Sequence, residues 1–131
     1  MIINWPVGVT LIIENEVQND GQYLIFRIYG NYSFHDTIEL IKKIDYTCRD
    51  KQIYKVLLDM SRLYNSNITD MDRFYLGEAV AQHWSSDIAV AAILPKRSIN
   101  GYAETVARNR QARLKVTHTK QLALDWLLAE N

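Results

Sequence analysis

Residues 88–94, IAVAAIL, form an apolar run of strand length that no polar side chain interrupts and that Pro95 closes. A strand with no polar alternation has no face to give to water, so it must be covered on both sides. Residues 56–58, Val-Leu-Leu, make a second and shorter run of the same kind, ended by Asp59. Two such strands in one small domain require helices above and below a sheet. That constraint points to the α/β class.

The rest of the chain supplies the remaining elements. Residues 9–14 and 23–29 are rich in β-branched and aromatic side chains. Between them lies Asn19-Asp20-Gly21, which suits the positive φ of a tight turn, so the two read as a hairpin. Gly30 closes the second strand of that pair. Ser33 then stands as a helix N-cap with Asp36 three residues on, and Phe34, Ile38, Ile41, Ile44 and Cys48 recur at helical spacing on one face. A strand over 54–59 follows, then a polar loop, then a helix over 70–83. After the apolar run come a polar turn at Lys96-Arg97-Ser98 and a helix capped by Asn100 and running through Asn109. A strand over 113–119 alternates Leu114, Val116 and His118 against Lys115 and Thr117. Thr119 caps a last helix carrying Leu122, Leu124, Trp126, Leu127 and Leu128. The order is β-β-α-β-α-β-α-β-α, which predicts a mixed, mostly parallel five-stranded sheet with right-handed crossovers.

A chain of 131 residues that is 48% hydrophobic suits one domain over residues 1–131. Fifteen basic and fifteen acidic residues cancel, leaving no basic footprint for nucleic acid. The single cysteine, Cys48, allows no internal disulfide and fits a reducing compartment. Residues 1–5 carry no Lys or Arg, and the longest apolar runs fall far short of a bilayer span. A soluble cytoplasmic domain without membrane insertion is expected.

In open α/β sheets, ligands and partners gather where strand ends feed helix N-termini. The loop Tyr64, Asn65, Ser66, Asn67, with Thr69 as N-cap and Asp70 and Asp72 in the first helical turn, is such a place. Tyr64, Phe74 and Tyr75 beside it are candidate interface anchors or core residues. Ser66 and Thr69 are candidate phosphorylation sites. A phosphate there would add nearly two negative charges, welcomed by the helix dipole and opposed by Asp70 and Asp72. The plainer role of Thr69 is a cap worth about 1 kcal/mol.

Asp59, Asp70 and Asp72 are the best carboxylate set for acid–base chemistry or a divalent cation. Asp70 and Asp72 already have a local role at the helix start, and no phosphate-binding glycine loop or nucleophile elbow accompanies them. Lys96, Arg97, Asn100 and Gly101 precede a helix and, with Asp59, are candidates for holding a small anionic ligand. Arg108 and Arg110 lie at the far end of that helix, where they complement its dipole. His35, His83 and His118 match no metal spacing, and Cys48 sits on an apolar face as a packed thiol. Neither a catalytic set, a metal site nor a cofactor is assigned.

Three stretches carry a resemblance. Residues 23–30 before a helix, residues 56–59 with Ser61 and the helix from Thr69, and NGYAETVARNR at 100–110 with ALDWL at 123–127 are together similar to the STAS domain of anti-sigma-factor antagonists, in its SpoIIAA-like branch. The resemblance covers nearly the whole chain and rests on topology more than on any rigid motif. It implies a regulatory protein–protein interaction domain without catalysis. The contact surface would be Tyr64, Asn65, Ser66, Asn67, Thr69 and Asp70, out to Tyr75. A protein partner or a homodimer would be the natural company. In the antagonists the phosphorylated hydroxyl directly follows an Asp, whereas here Met71 follows Asp70. The fold also resembles lipid-binding SEC14-type proteins. That likeness implies a small-molecule or lipid-like ligand, held between the loops 59–69 and 95–101.

Overall fold

The five residues of strand β4 (Ala89–Ile93) are all buried, and they sit inside a five-stranded sheet. The computed structural model describes residues 11–64 and 67–129. Strands β1 (Leu11–Gln18) and β2 (Tyr23–Asn31) form the antiparallel hairpin. Strands β3 (Lys55–Tyr64), β4 and β5 (Arg113–Thr117) then add in parallel, in the order β1-β2-β3-β4-β5. Helices α1 (Phe34–Lys51), α2 (Asp70–His83) and α3 (Tyr102–Asn109) make the crossovers, and α4 (Lys120–Ala129) ends the chain. The molecule is therefore α/β, with one antiparallel pair and three parallel ones.

Each crossover steps to the next strand in the same direction. With one hand of crossover, all three helices fall on one side of the sheet. Leu24, Phe26 and Ile28 of β2, Leu58 of β3 and Val90 of β4 meet Ile44 of α1 and Val80 of α2 there. On the other face, Ile25, Leu57, Ala91 and Ile93 meet Ala123 and Leu127 of α4. Alanines at 89 and 91 keep that face shallow enough for a helix to lie close. Apolar side chains on both faces of β3 and β4 are thus removed from water, at roughly 25 cal/mol per Å2 of apolar surface.

Strand β1 runs on to Gln18, so the hairpin loop is short. Gln18 pairs directly with Tyr23, and Asn19, Asp20 and Gly21 all take positive φ between them. Ser33 caps α1 by accepting from the Asp36 N–H at 3.3 Å. Leu40 and Thr47 join the buried face read from the sequence. The Trp84 indole donates to the Ile41 carbonyl at 3.0 Å, fastening the end of α2 to α1.

The largest departure from the sequence reading is in β3, which continues five residues past Asp59. A bulge between the Asp59 and Arg62 pairings lets Arg62, Leu63 and Tyr64 reach Tyr29, Gly30 and Asn31. The extra residue shifts the two-residue alternation, and Asp59 marks the bulge rather than the strand end. On β5, Thr117 is buried while His118 is exposed, against the alternation expected there. Residues 9 and 10 of the first predicted strand lie outside the described residues. Among the described residues, no helix is long and apolar enough to cross a membrane.

Candidate functional site

At the carboxyl ends of the parallel strands, the starts of α1, α2 and α3 come together. Thr69 caps α2, its hydroxyl accepting from the Asp72 N–H at 3.0 Å. The Asp72 carboxylate accepts the Tyr32 hydroxyl at 2.9 Å, linking the exit of β2 to the mouth of α2. Burial first, and then this bond, raise the Tyr32 hydroxyl above its usual pKa. Asp70 accepts from the Asn100 side-chain amide at 3.4 Å, and the Asn100 oxygen accepts from the Tyr102 N–H at 2.9 Å. Helix α3 thus begins at Tyr102, with Gly101 at its N-cap position at φ 79° and Asn100 binding from one residue before. The polar groups of this mouth hold three chain segments in register.

Large apolar side chains also face solvent here. Met71 is 62% exposed, Tyr64 52%, Tyr75 48% and Tyr102 41%. Tyr75 sets its ring edgewise against Phe34 at 6.4 Å and Phe74 at 5.5 Å, so it is braced while still exposed. Phe74 is the inner of that pair, and the Arg110 guanidinium lies 5.7 Å from its ring centre. Tyr64 stands at the tip of β3, where its carbonyl accepts from the Tyr32 N–H at 3.1 Å. Asn67 and Thr69 are exposed beside it, while Asn65 and Ser66 lie outside the described residues.

No protein-family model matches this chain, and no curated protein does either.

The three aspartates do not converge. Asp59 pairs with Arg27 and Ile93 on the sheet face that α4 packs against, while Asp70 and Asp72 belong to α2 on the other side. The Asp59 oxygen is taken by the N–H and hydroxyl of Ser61, at 3.0 and 2.7 Å. Around it, on sheet surface beyond α4, lie Arg27, Tyr29 and Arg62. Arg27 pairs with Glu16 at 2.8 Å, and Arg62 stacks 5.6 Å from the Tyr29 ring centre. Among the described residues, no three His, Cys, Asp or Glu side chains are grouped to hold a metal ion.

Lys96 and Arg97 are exposed on a single turn after β4. Arg108 pairs with Glu104 and Arg110 with Glu78, both at 3.4 Å, so the basic residues of this region are dispersed. Cys48 is fully buried, and desolvation pushes its thiol up to about 12. A thiol so raised is a poor nucleophile.

Between the sheet and α1 and α2 lies a cavity of about 90 Å3. Leu40, Leu58, Leu63, Val80, Trp84 and Leu114 are among its apolar walls. Met60 and Ile68 border it from the predicted loop region, but Lys96, Arg97, Asn100 and Gly101 do not line it. The charged side chain at its wall is Arg73 of α2, whose buried Nε finds no hydrogen-bond partner among the described residues. Neither Arg73 nor Tyr32 stands out in the sequence as a site residue. The available signal was spacing. Arg73, Gly77, Val80 and Trp84 follow one another at helical intervals, which puts a cation on the inward stripe of α2.

Proposed function

We propose that this protein is a regulatory interaction domain of the STAS, SpoIIAA-like type, acting by non-covalent contact with a protein partner through the carboxyl-end surface around α2. One observation carries the reading. Met71, Tyr64, Tyr75 and Tyr102 are all exposed around the helix mouths, while the polar side chains between them are spent on internal bonds. Large aromatic side chains braced by neighbours lose little freedom when covered, and they are the commonest anchors of protein interfaces. Support for the reading comes from the observed element order and from a five-stranded sheet with one antiparallel pair and three parallel ones.

The test places a photoreactive amino acid at position 75, in an extract of the source cells. Position 46 serves as control, since Tyr46 is the most exposed large apolar residue among the described residues and lies about 18 Å further along α1 than its start. The reading predicts a discrete adduct from position 75 and none from position 46. It also predicts that the captured partner, once purified, binds Tyr75→Ala at least tenfold more weakly. Equal capture from both positions would contradict it.

A second reading, a small-ligand sensor of SEC14-like character, is favoured by the apolar cavity with Arg73 at its wall.

A further inference from the structure

The cavity behind α2 has a floor and a mouth. On its floor, Leu40, Leu58, Trp84 and Leu114 are at most 5% exposed. On its border, Tyr32, Thr37, Met60 and Ile68 are half-buried. Tyr32 and Thr37 stand where β2 leads into α1, and Ile68 stands where the chain enters α2. The cavity is therefore approached from the carboxyl end of the sheet, the end that carries Tyr75 and Met71. Its accessible walls are apolar, since the Tyr32 hydroxyl is bonded to Asp72 and the Arg73 Nε is buried. Such a pocket selects by shape and has nothing inside to meet a charged head. Charge lies outside it, and its sign is negative. Asp36 adjoins Thr37 in the first turn of α1, and Asp72 holds Tyr32 from the first turn of α2. Asp36 has no ion pair among the described residues.

We propose that this cavity is an anchor pocket of the protein interface, filled by one leucine or isoleucine side chain of the partner, with a lysine or arginine beside it facing Asp36 and Asp72. This rests on the protein-interaction reading of the same end and adds what the partner must carry. Size selects the anchor. An apolar cavity of about 150 Å3 holds benzene, with its six carbons, so in the same proportion about 90 Å3 takes roughly four. Four is the carbon count of a leucine or isoleucine side chain, and a phenylalanine or tryptophan exceeds the space. Filling a dry apolar void gives its walls the contacts they lack. Interface energy concentrates in desolvated pockets of this kind. Complementary charge at the mouth favours a basic neighbour and disfavours an acidic one.

The first measurement uses isobutanol, whose isobutyl group is a leucine side chain, added to the intact wild-type chain with labelled methyl groups. It should shift the methyl signals of Leu40, Leu58 and Val80, and benzyl alcohol should not. Ala92→Val narrows the cavity from β4 and should abolish the shifts; if that variant does not fold, Ala103→Val narrows it from α3. The second measurement uses the partner captured from position 75. It should bind the narrowed variant at least tenfold more weakly than wild type, and Asp36→Asn several-fold more weakly at low salt only. Methyl signals unmoved by isobutanol, or moved as much by benzyl alcohol, would overturn the pocket and its size. Isobutanol binding with a partner indifferent to the narrowed cavity would overturn the anchor alone and leave the space to a free small ligand. Binding of Asp36→Asn as tight as wild type at low salt would overturn the basic neighbour. Failure to capture any partner from position 75 would overturn the interaction reading itself, and the anchor with it.

Discussion

Thr69 shows how one hydroxyl fixes the local architecture of the candidate surface. It accepts from the Asp72 N–H, and Asp72 in turn holds Tyr32, so the cap and the tie between β2 and α2 share one turn of helix. Thr69→Ala should cost about 1 kcal/mol of stability in urea titration, and Thr69→Ser should recover most of it. A neutral Thr69→Ala would mean that the first turn of α2 is held by other bonds. Cys48 carries a prediction about pH. Its folded pKa is raised to about 12 from an ordinary 9.0, chiefly because burial disfavours the thiolate. A raised pKa contributes stability that is fully present below the unfolded value and lost as pH climbs through the folded one. Urea midpoints should therefore fall between about pH 9 and about pH 12, and fall less steeply in Cys48→Ala. Parallel losses in the two proteins would contradict that assignment. The same burial should leave the native thiol unreactive toward a thiol reagent until the chain unfolds.

Helices α2 and α3 touch more closely than helix pairs with side chains at the contact, and Gly77 is the reason. A methyl group there would stand 2.7 Å from the Ala103 carbonyl oxygen and 2.8 Å from the Val106 Cβ. Alanine is favoured over glycine inside a helix by about 1 kcal/mol, yet overpacking against an atom that cannot rotate away costs about 1–3 kcal/mol. Gly77→Ala should thus destabilise the protein in urea. A gain would show that α3 can move aside. How legible each element was depends on what its residues encode locally. The start of α2 at Asp70 follows from Thr69 as cap and Asp70 and Asp72 in the first turn, signals that need no tertiary context. The far half of β3 escaped because a bulge breaks the alternation at Asp59, and its pairing with Tyr29, Gly30 and Asn31 depends on a strand distant in sequence. The linear strand order was not written in any single segment either. It emerges from three crossovers taken together. At the candidate site, Tyr64 and Tyr75 could be singled out by type and position. Which of Phe74 and Tyr75 faces inward was decided by Phe34 at the start of α1 and Arg110 just past the end of α3. Met71, Tyr102 and Arg73 entered only with the fold, because their exposure or burial depends on how α3 and the sheet meet α2.

On the scale of the whole molecule, the sheet separates two environments. Among the described residues, three helices cover one face and α4 alone covers part of the other, leaving Arg27, Tyr29, Asp59 and Arg62 on a polar stretch. The apolar side chains exposed at the carboxyl end differ from that stretch in kind. The proposed surface for a protein partner is this end. The most direct measurement is the amide spectrum of isotopically labelled protein, recorded alone and then in unlabelled extract of the source cells. Signals of Met71, Tyr75 and Tyr102 should broaden or shift, while those of β1 and of Leu122 and Leu128 on α4 should stay in place. Perturbation centred instead on Arg27, Tyr29 and Arg62 or on α4, or a spectrum unchanged throughout, would contradict it.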